Sequence, residues 1–71
     1  MERDWLVAAG RALFGSQWQT EFGRAIGKSD RTVRHWVRGD TNAPAWVANR
    51  TGRMLRERRD EIDRLLQETT P

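Results

Sequence analysis

QTEFGRAIGKSDRTVRHWVRG, residues 19–39, is the stretch that decides the fold. Phe22 and Ile26 stand one helical turn apart before Gly27, and Val33 and Trp36 stand one turn apart after it. Apolar residues at that period predict two amphipathic helices, and the glycine between them predicts a tight turn. Three local demands are met. Where the second helix crosses the first, a small residue is needed, and Gly23 supplies it. The turn needs a residue free to take positive φ, which Gly27 can do. The second helix needs a β-branched residue and a large apolar anchor on its inner face, here Val33 and Trp36. Ser29 reads as its N-cap, Asp30 as a first-turn acid favoured by the helix dipole, and Gly39 as its end.

A buried stripe fixes what lies opposite it. Arg31, Arg34, His35 and Arg38 recur at i, i+3, i+4 and i+7, so they share the outer face of that helix. Basic groups crowded on one stripe repel one another unless an anion meets them. Arginine can also donate two hydrogen bonds to guanine O6 and N7. Ser29, Asp30 and Thr32 lie at the N-terminal tip, the end that a recognition helix presents to base edges. Lys28 adds a cation in the turn.

These residues resemble the Cro/CI-type (XRE-like) helix-turn-helix of phage and bacterial repressors, tightly over residues 19–39 and loosely over residues 16–55. The segment SDRTVRHWVRGD also resembles the third helix of small prophage regulators, a group with anti-CRISPR-associated repressors among its candidates. Two positions depart from the family pattern. Lys28 follows the turn glycine where an apolar residue is usual, and Gly23 stands where alanine is usual. The resemblance implies a lambda-repressor-like helical fold and binding to double-stranded DNA. It also implies that Gln19, at the start of the preceding helix, reaches a phosphate.

Outward from this centre the pattern stays helical. Before it, Trp5, Leu6, Ala9 and Leu13 form a stripe in residues 2–14, closed by Gly15 as a left-handed cap. Ser16 with Gln19 three residues on has the form of a capping box opening the next helix, whose apolar residues are Trp18, Phe22, Ala25 and Ile26. After it, residues 40–42 read as a loop and Pro44 suits a first helical turn. Residues 44–68 carry Trp46, Val47, Met54, Leu55, Ile62, Leu65 and Leu66. They form one long helix or two broken near Gly52 or Arg59, and the sequence does not choose. Residues 69–71 are expected to fray. The fold class is therefore all-α, a bundle of four to five helices in a single domain over residues 1–71, with the helix-turn-helix at about 18–38.

The 71 residues carry 13 Lys and Arg against 10 Asp and Glu, a net charge of +3. The excess is not spread evenly. Residues 19–50 hold six basic residues against three acidic, while the segments on either side balance. The surplus thus lies where a polyanion would bind. A mean hydropathy of -0.87 is polar enough to suggest disorder, but four tryptophans argue for a packed core.

Several classes are set aside. No cysteine means no disulfide framework and no thiolate metal site. His35 is the single histidine and has no cysteine or paired acid near it in sequence, which speaks against a metal or a catalytic base. Asp60, Glu61 and Asp63 are interleaved with arginines and make no carboxylate pair of an enzyme. No apolar run nears the roughly 18 residues a membrane helix needs, and the charged start does not open a signal peptide. A cytoplasmic, nucleoid-associated chain without cofactor or small-molecule ligand is expected.

One recognition helix covers few base pairs, so a homodimer on a palindromic site is expected. Met54, Leu55, Ile62, Leu65 and Leu66 exceed what a small core needs and are its candidate surface. The alternative is that Ile62, Leu65 and Leu66 fold back onto Trp5, Leu6 and Leu13. Two other functions stay open: an antitoxin or adaptor that holds a partner protein through its C-terminal helices, and an architectural factor that bends DNA.

Overall fold

Where each helix stops is set by backbone chemistry. Gly27 and Gly39 take left-handed conformations, with φ of 77° and 84°. At each, the chain folds back on the helix it leaves. The Lys28 N–H donates to the Gly23 carbonyl at 2.8 Å, and the Asp40 N–H to that of His35 at 3.0 Å. Both ends are Schellman closures, which satisfy carbonyls that have no partner within the helix. Ser29 opens the intervening helix as predicted, its Oγ accepting from the Thr32 N–H at 3.2 Å.

The computed structural model describes residues 2–69; Met1, Thr70 and Pro71, and with the last two the predicted fraying there, lie outside them. The described residues form four helices and no strand: α1 Arg3–Phe14, α2 Trp18–Ile26, α3 Asp30–Arg38 and α4 Ala45–Glu68. The bundle is all-helical. α1 touches the other three, and α2 packs on α3. The core gathers Leu6, Trp18, Phe22, Ile26, Val33, Trp36, Ala43 and Val47. Trp18 meets Phe22 edge to face with centroids 5.5 Å apart. Each of the fully buried Leu6, Phe22, Val33 and Val47 contributes about 1.5–3 kcal/mol of transfer free energy.

Four expectations change. Trp5 is 39% exposed, not core. The buried stripe of α1 runs through Leu6, Ala9, Gly10 and Leu13, and Trp5 lies about 100° from its centre. Gly10 carries no apolar side chain to mark it in the sequence, yet the Trp18 ring fills the space above it. Gly15 ends α1 with an extended ψ of -164°, not in the left-handed helical region. The capping box at Ser16 does not form: α2 begins at Trp18, after Gln17, with no side-chain cap. Pro44 stands just outside α4 as its N-cap.

α4 is continuous through Gly52. Its 24 residues span about 36 Å at roughly 1.5 Å each, longer than the body it packs on. Val47 and Thr51 are buried, Met54, Leu55 and Arg58 are half-buried, and every residue from 59 to 69 is exposed. The second half of the helix therefore projects, and the molecule measures 49 × 22 × 21 Å. Ile62, Leu65 and Leu66 do not fold back onto α1; they are 47%, 54% and 61% exposed. Met54 instead packs against the core.

Three arginines tie the bundle together from a distance. Arg58 Nη1 donates to the Leu13 carbonyl at 2.8 Å, Arg50 Nη2 to that of Ala25 at 3.3 Å and Arg3 Nη1 to that of Arg38 at 3.2 Å. The acceptors lie in the last turns of α1, α2 and α3, where unpaired carbonyls carry the negative end of the helix dipole. The C-terminal ends of α1, α2 and α3 thus each receive a cation from another helix. Of the three contacts, that of Arg58 is part-buried and shortest. Arg58→Ala is expected to lower unfolding free energy by about 1–2 kcal/mol, towards the low end for hydrogen bonds to charged groups because water partly reaches it. Urea denaturation measures it, and an unchanged midpoint would remove Arg58 from the helix-end account.

Candidate nucleic-acid interface

The inner face of α3 is locked. Val33 is fully buried and Trp36 nearly so. A Cβ placed on Gly23 would lie 2.6 Å from the Lys28 carbonyl oxygen and 3.5 Å from Val33 Cγ2, so α2 and the turn approach too closely for any side chain there. The glycine at this position thus has a local cause. A second tie joins the two helices: Thr20 Oγ1 donates to Asp30 Oδ2 at 3.0 Å. With its inner face, turn and first residue held, α3 presents its outer face as a rigid element.

On that outer face the predicted residues divide by what engages them. The side chains of Arg31 and Arg34 are exposed and make no hydrogen bond or ion pair among the described residues. Asp30 does not draw Arg31 onto itself; its carboxylate is taken by Thr20. Arg38 turns to Asp40, with Nη2 3.2 Å from Oδ2, and His35 Nδ1 lies 3.4 Å from the same oxygen. The Schellman turn at Gly39 is what brings that acid back alongside the helix. The C-terminal end of the stripe is therefore partly neutralised, and the N-terminal half carries the bare cations.

The helix tip and the turn are similarly organised. Ser29 Oγ and Thr32 Oγ1 lie 3.1 Å apart, and Ser29 also caps the helix, so both hydroxyls serve local structure. Lys28 is exposed, with Nζ 5.7 Å from the centroid of the Trp46 ring. The cation sits over an aromatic face, which holds it beside the start of α3. Trp46 is 41% exposed and belongs to this contact instead of the core. Gln19 is half-buried near the start of α2, and its side chain has no hydrogen bond among the described residues.

The basic surplus of residues 19–50 is thus smaller in effect than it reads. Arg24 pairs with Glu21 at 3.2 Å, Arg38 with Asp40, and Arg50 with a helix end. What remains for an external anion is Lys28, Arg31 and Arg34, close together in sequence and joined to one rigid turn and helix. The helix-end contacts of Arg3, Arg50 and Arg58 are not visible locally, since they span 35, 25 and 45 residues. Two pairs carry a sequence signal: Glu21 and Arg24 stand at i, i+3 on α2, and in the Arg38-Gly39-Asp40 run a glycine turn returns the next residue to the helix it closes. No helix among the described residues is long and apolar enough to cross a membrane.

Comparison with known proteins adds no family to this geometry: no protein-family model, no curated protein and no solved structure matches the chain.

Proposed function

We propose that the chain is a sequence-specific double-stranded DNA-binding regulator of transcription, with α2 and α3 as a Cro/CI-type helix-turn-helix and α3 as the probe. The observation that carries the reading is the pair of unengaged arginines, Arg31 and Arg34, on the exposed face of a helix whose opposite face is immobilised. A rigid helix with free guanidinium groups near its N-terminal half suits entry into a major groove. Lys28, held over Trp46, then faces the phosphate backbone, and Gln19 contributes a second backbone contact. The protein acts as a repressor, as a dimer on a palindromic operator, in the nucleoid-associated cytoplasm. It needs no cofactor, metal or small-molecule ligand; occupancy follows its own concentration.

One observation favours a second reading. The projecting apolar residues of α4 also suit an adaptor or antitoxin that grips a partner protein. Titrating the full chain into labelled random and genomic duplex at low salt separates the two. Regulators bind non-specific duplex through phosphate contacts with affinities that fall steeply with salt. Salt-sensitive binding to all duplexes, with a tighter subset of genomic fragments, is expected. Absence of binding to any duplex at low salt would remove the DNA reading and leave the adaptor. A large bend angle on the tight fragments would instead favour the architectural role.

A further inference from the structure

Asp30 is an acid set into a basic face, yet no cation around it is engaged with it. On α3 it directly precedes Arg31 and stands one turn before Arg34, about 40° from it around the helix at roughly 100° per residue. An acid four residues ahead of a base is the orientation that favours an ion pair within a helix. No such pair forms. Thr20 Oγ1, on α2, donates to Asp30 Oδ2 at 3.0 Å, and the carboxylate has no other partner among the described residues. A carboxylate only accepts hydrogen bonds and has about four sites for them. One is filled from α2. The rest are open on an exposed residue beside the bare guanidinium groups of Arg31 and Arg34.

We propose that Asp30 selects a cytosine in the site that α3 reads, and that Thr20 positions it for that task. The inference deepens the DNA-binding reading and rests on it. An unpaired carboxylate at a DNA surface is repelled by phosphate and loses its water, so it binds only where a donor meets it. The donors in the major groove are the N4 amine of cytosine and the N6 amine of adenine. Adenine sets its N7 acceptor next to N6, which opposes a carboxylate. Cytosine presents N4 alone, and its guanine partner presents the O6 and N7 acceptors that an arginine takes. Asp30 and Arg34, neighbours with opposite demands, thus read a cytosine and a guanine in the same or adjoining pairs. The Thr20 hydroxyl keeps the two side chains from satisfying each other. Without it the carboxylate turns to Arg34, and both readers are lost to the bases.

Selection of bound duplexes from a randomised pool, with the full chain and its variants, tests this. The wild type is expected to fix a cytosine at one position of its site. Asp30→Asn should change that position to adenine, because an asparagine amide bonds adenine N6 and N7 together. The preference between the two bases should shift by roughly 5- to 150-fold. Loss of the negative charge raises affinity for every duplex alike, so the readout is base preference and not affinity. Thr20→Val removes the hydroxyl and keeps the shape. It should weaken preference at both the cytosine and the guanine with helical content unchanged, and Thr20→Ser should retain it. A sequence-selective wild type whose preferences Asp30→Asn leaves as they are would overturn the cytosine assignment while the DNA reading stands. An unchanged profile for Thr20→Val would reduce Thr20 to a structural tie and overturn its positioning role. A wild type that binds no duplex would bring down the DNA reading and this inference with it.

Discussion

Gly10→Ala is expected to destabilise the domain by about 3 kcal/mol or more, although alanine is the better helix former. Two effects oppose each other. In an unencumbered helix interior the change would stabilise by up to ~1 kcal/mol. Here the new Cβ would lie 2.6 Å from Cζ3 of Trp18 and closer still to Cε3 and Cδ2. Trp18 is 2% exposed and rigid, so the ring cannot swing aside. Overpacking a core costs typically 1–3 kcal/mol and more when a large group must move. α1 would have to lift from α2, disturbing contacts of Leu6 and Leu13 as well. A chain this size has only about 4–10 kcal/mol in total, at roughly 0.05–0.15 kcal/mol per residue. Gly52→Ala provides the contrast within the same protein. Its Cβ would meet only the mobile end of Arg56, at 3.4 Å. There the propensity gain stands alone, and stability should rise by about 0.5–1 kcal/mol. Urea midpoints at one fixed protein concentration compare the two. A Gly10→Ala protein as stable as the wild type would contradict the close approach of α1 and Trp18.

The same glycine shows which parts of the fold the sequence makes legible. Residues that act through local backbone chemistry can be read directly: Gly27, Ser29 and Gly39 do what their types predict, and Val33 and Trp36 face inward. Residues that act through packing cannot. Gly10 matters because of what Trp18 places above it, and a pattern of apolar side chains passes over a position with no side chain. Trp5 shows the converse: next to Leu6 it reads as part of the apolar stripe, but the stripe centres on Leu6, Ala9, Gly10 and Leu13, and the angle of Trp5 on the helix leaves it 39% exposed. Gly52 weakens α4 by only ~1 kcal/mol, too little to break a helix that is anchored by Val47 before it and Met54 after it. Hence one helix, where composition allowed two. The candidate site divides in the same way. The stripe of basic residues on α3 is visible in its spacing. The Gly39 turn hints at the hold of Asp40 on Arg38; that Arg31 and Arg34 are not held by anything described follows only from three-dimensional placement.

On the proposed reading, this difference in engagement becomes a difference in DNA binding. Arg34→Ala is expected to shrink the gap between operator and random duplex by about 1–3 kcal/mol, roughly 5- to 150-fold, the usual worth of a bidentate guanine contact. The side chain is exposed and unengaged in the free protein, so its removal should leave stability nearly unchanged. Lys28→Ala should behave otherwise. A phosphate contact carries no sequence information, so its loss weakens operator and random duplex alike and lowers the salt slope by about one unit per subunit. Trp46→Ala should reproduce part of that effect, because the ring that positions the Lys28 ammonium is gone. Arg38→Ala should cost less specificity than Arg34→Ala, since Arg38 is shared with Asp40 and lies at the end of α3 away from the tip. Affinities for operator and random duplex at several salt concentrations, measured for each variant, test the assignment. Equal free-energy losses on both duplexes for Arg34→Ala would move that residue from the bases to the backbone.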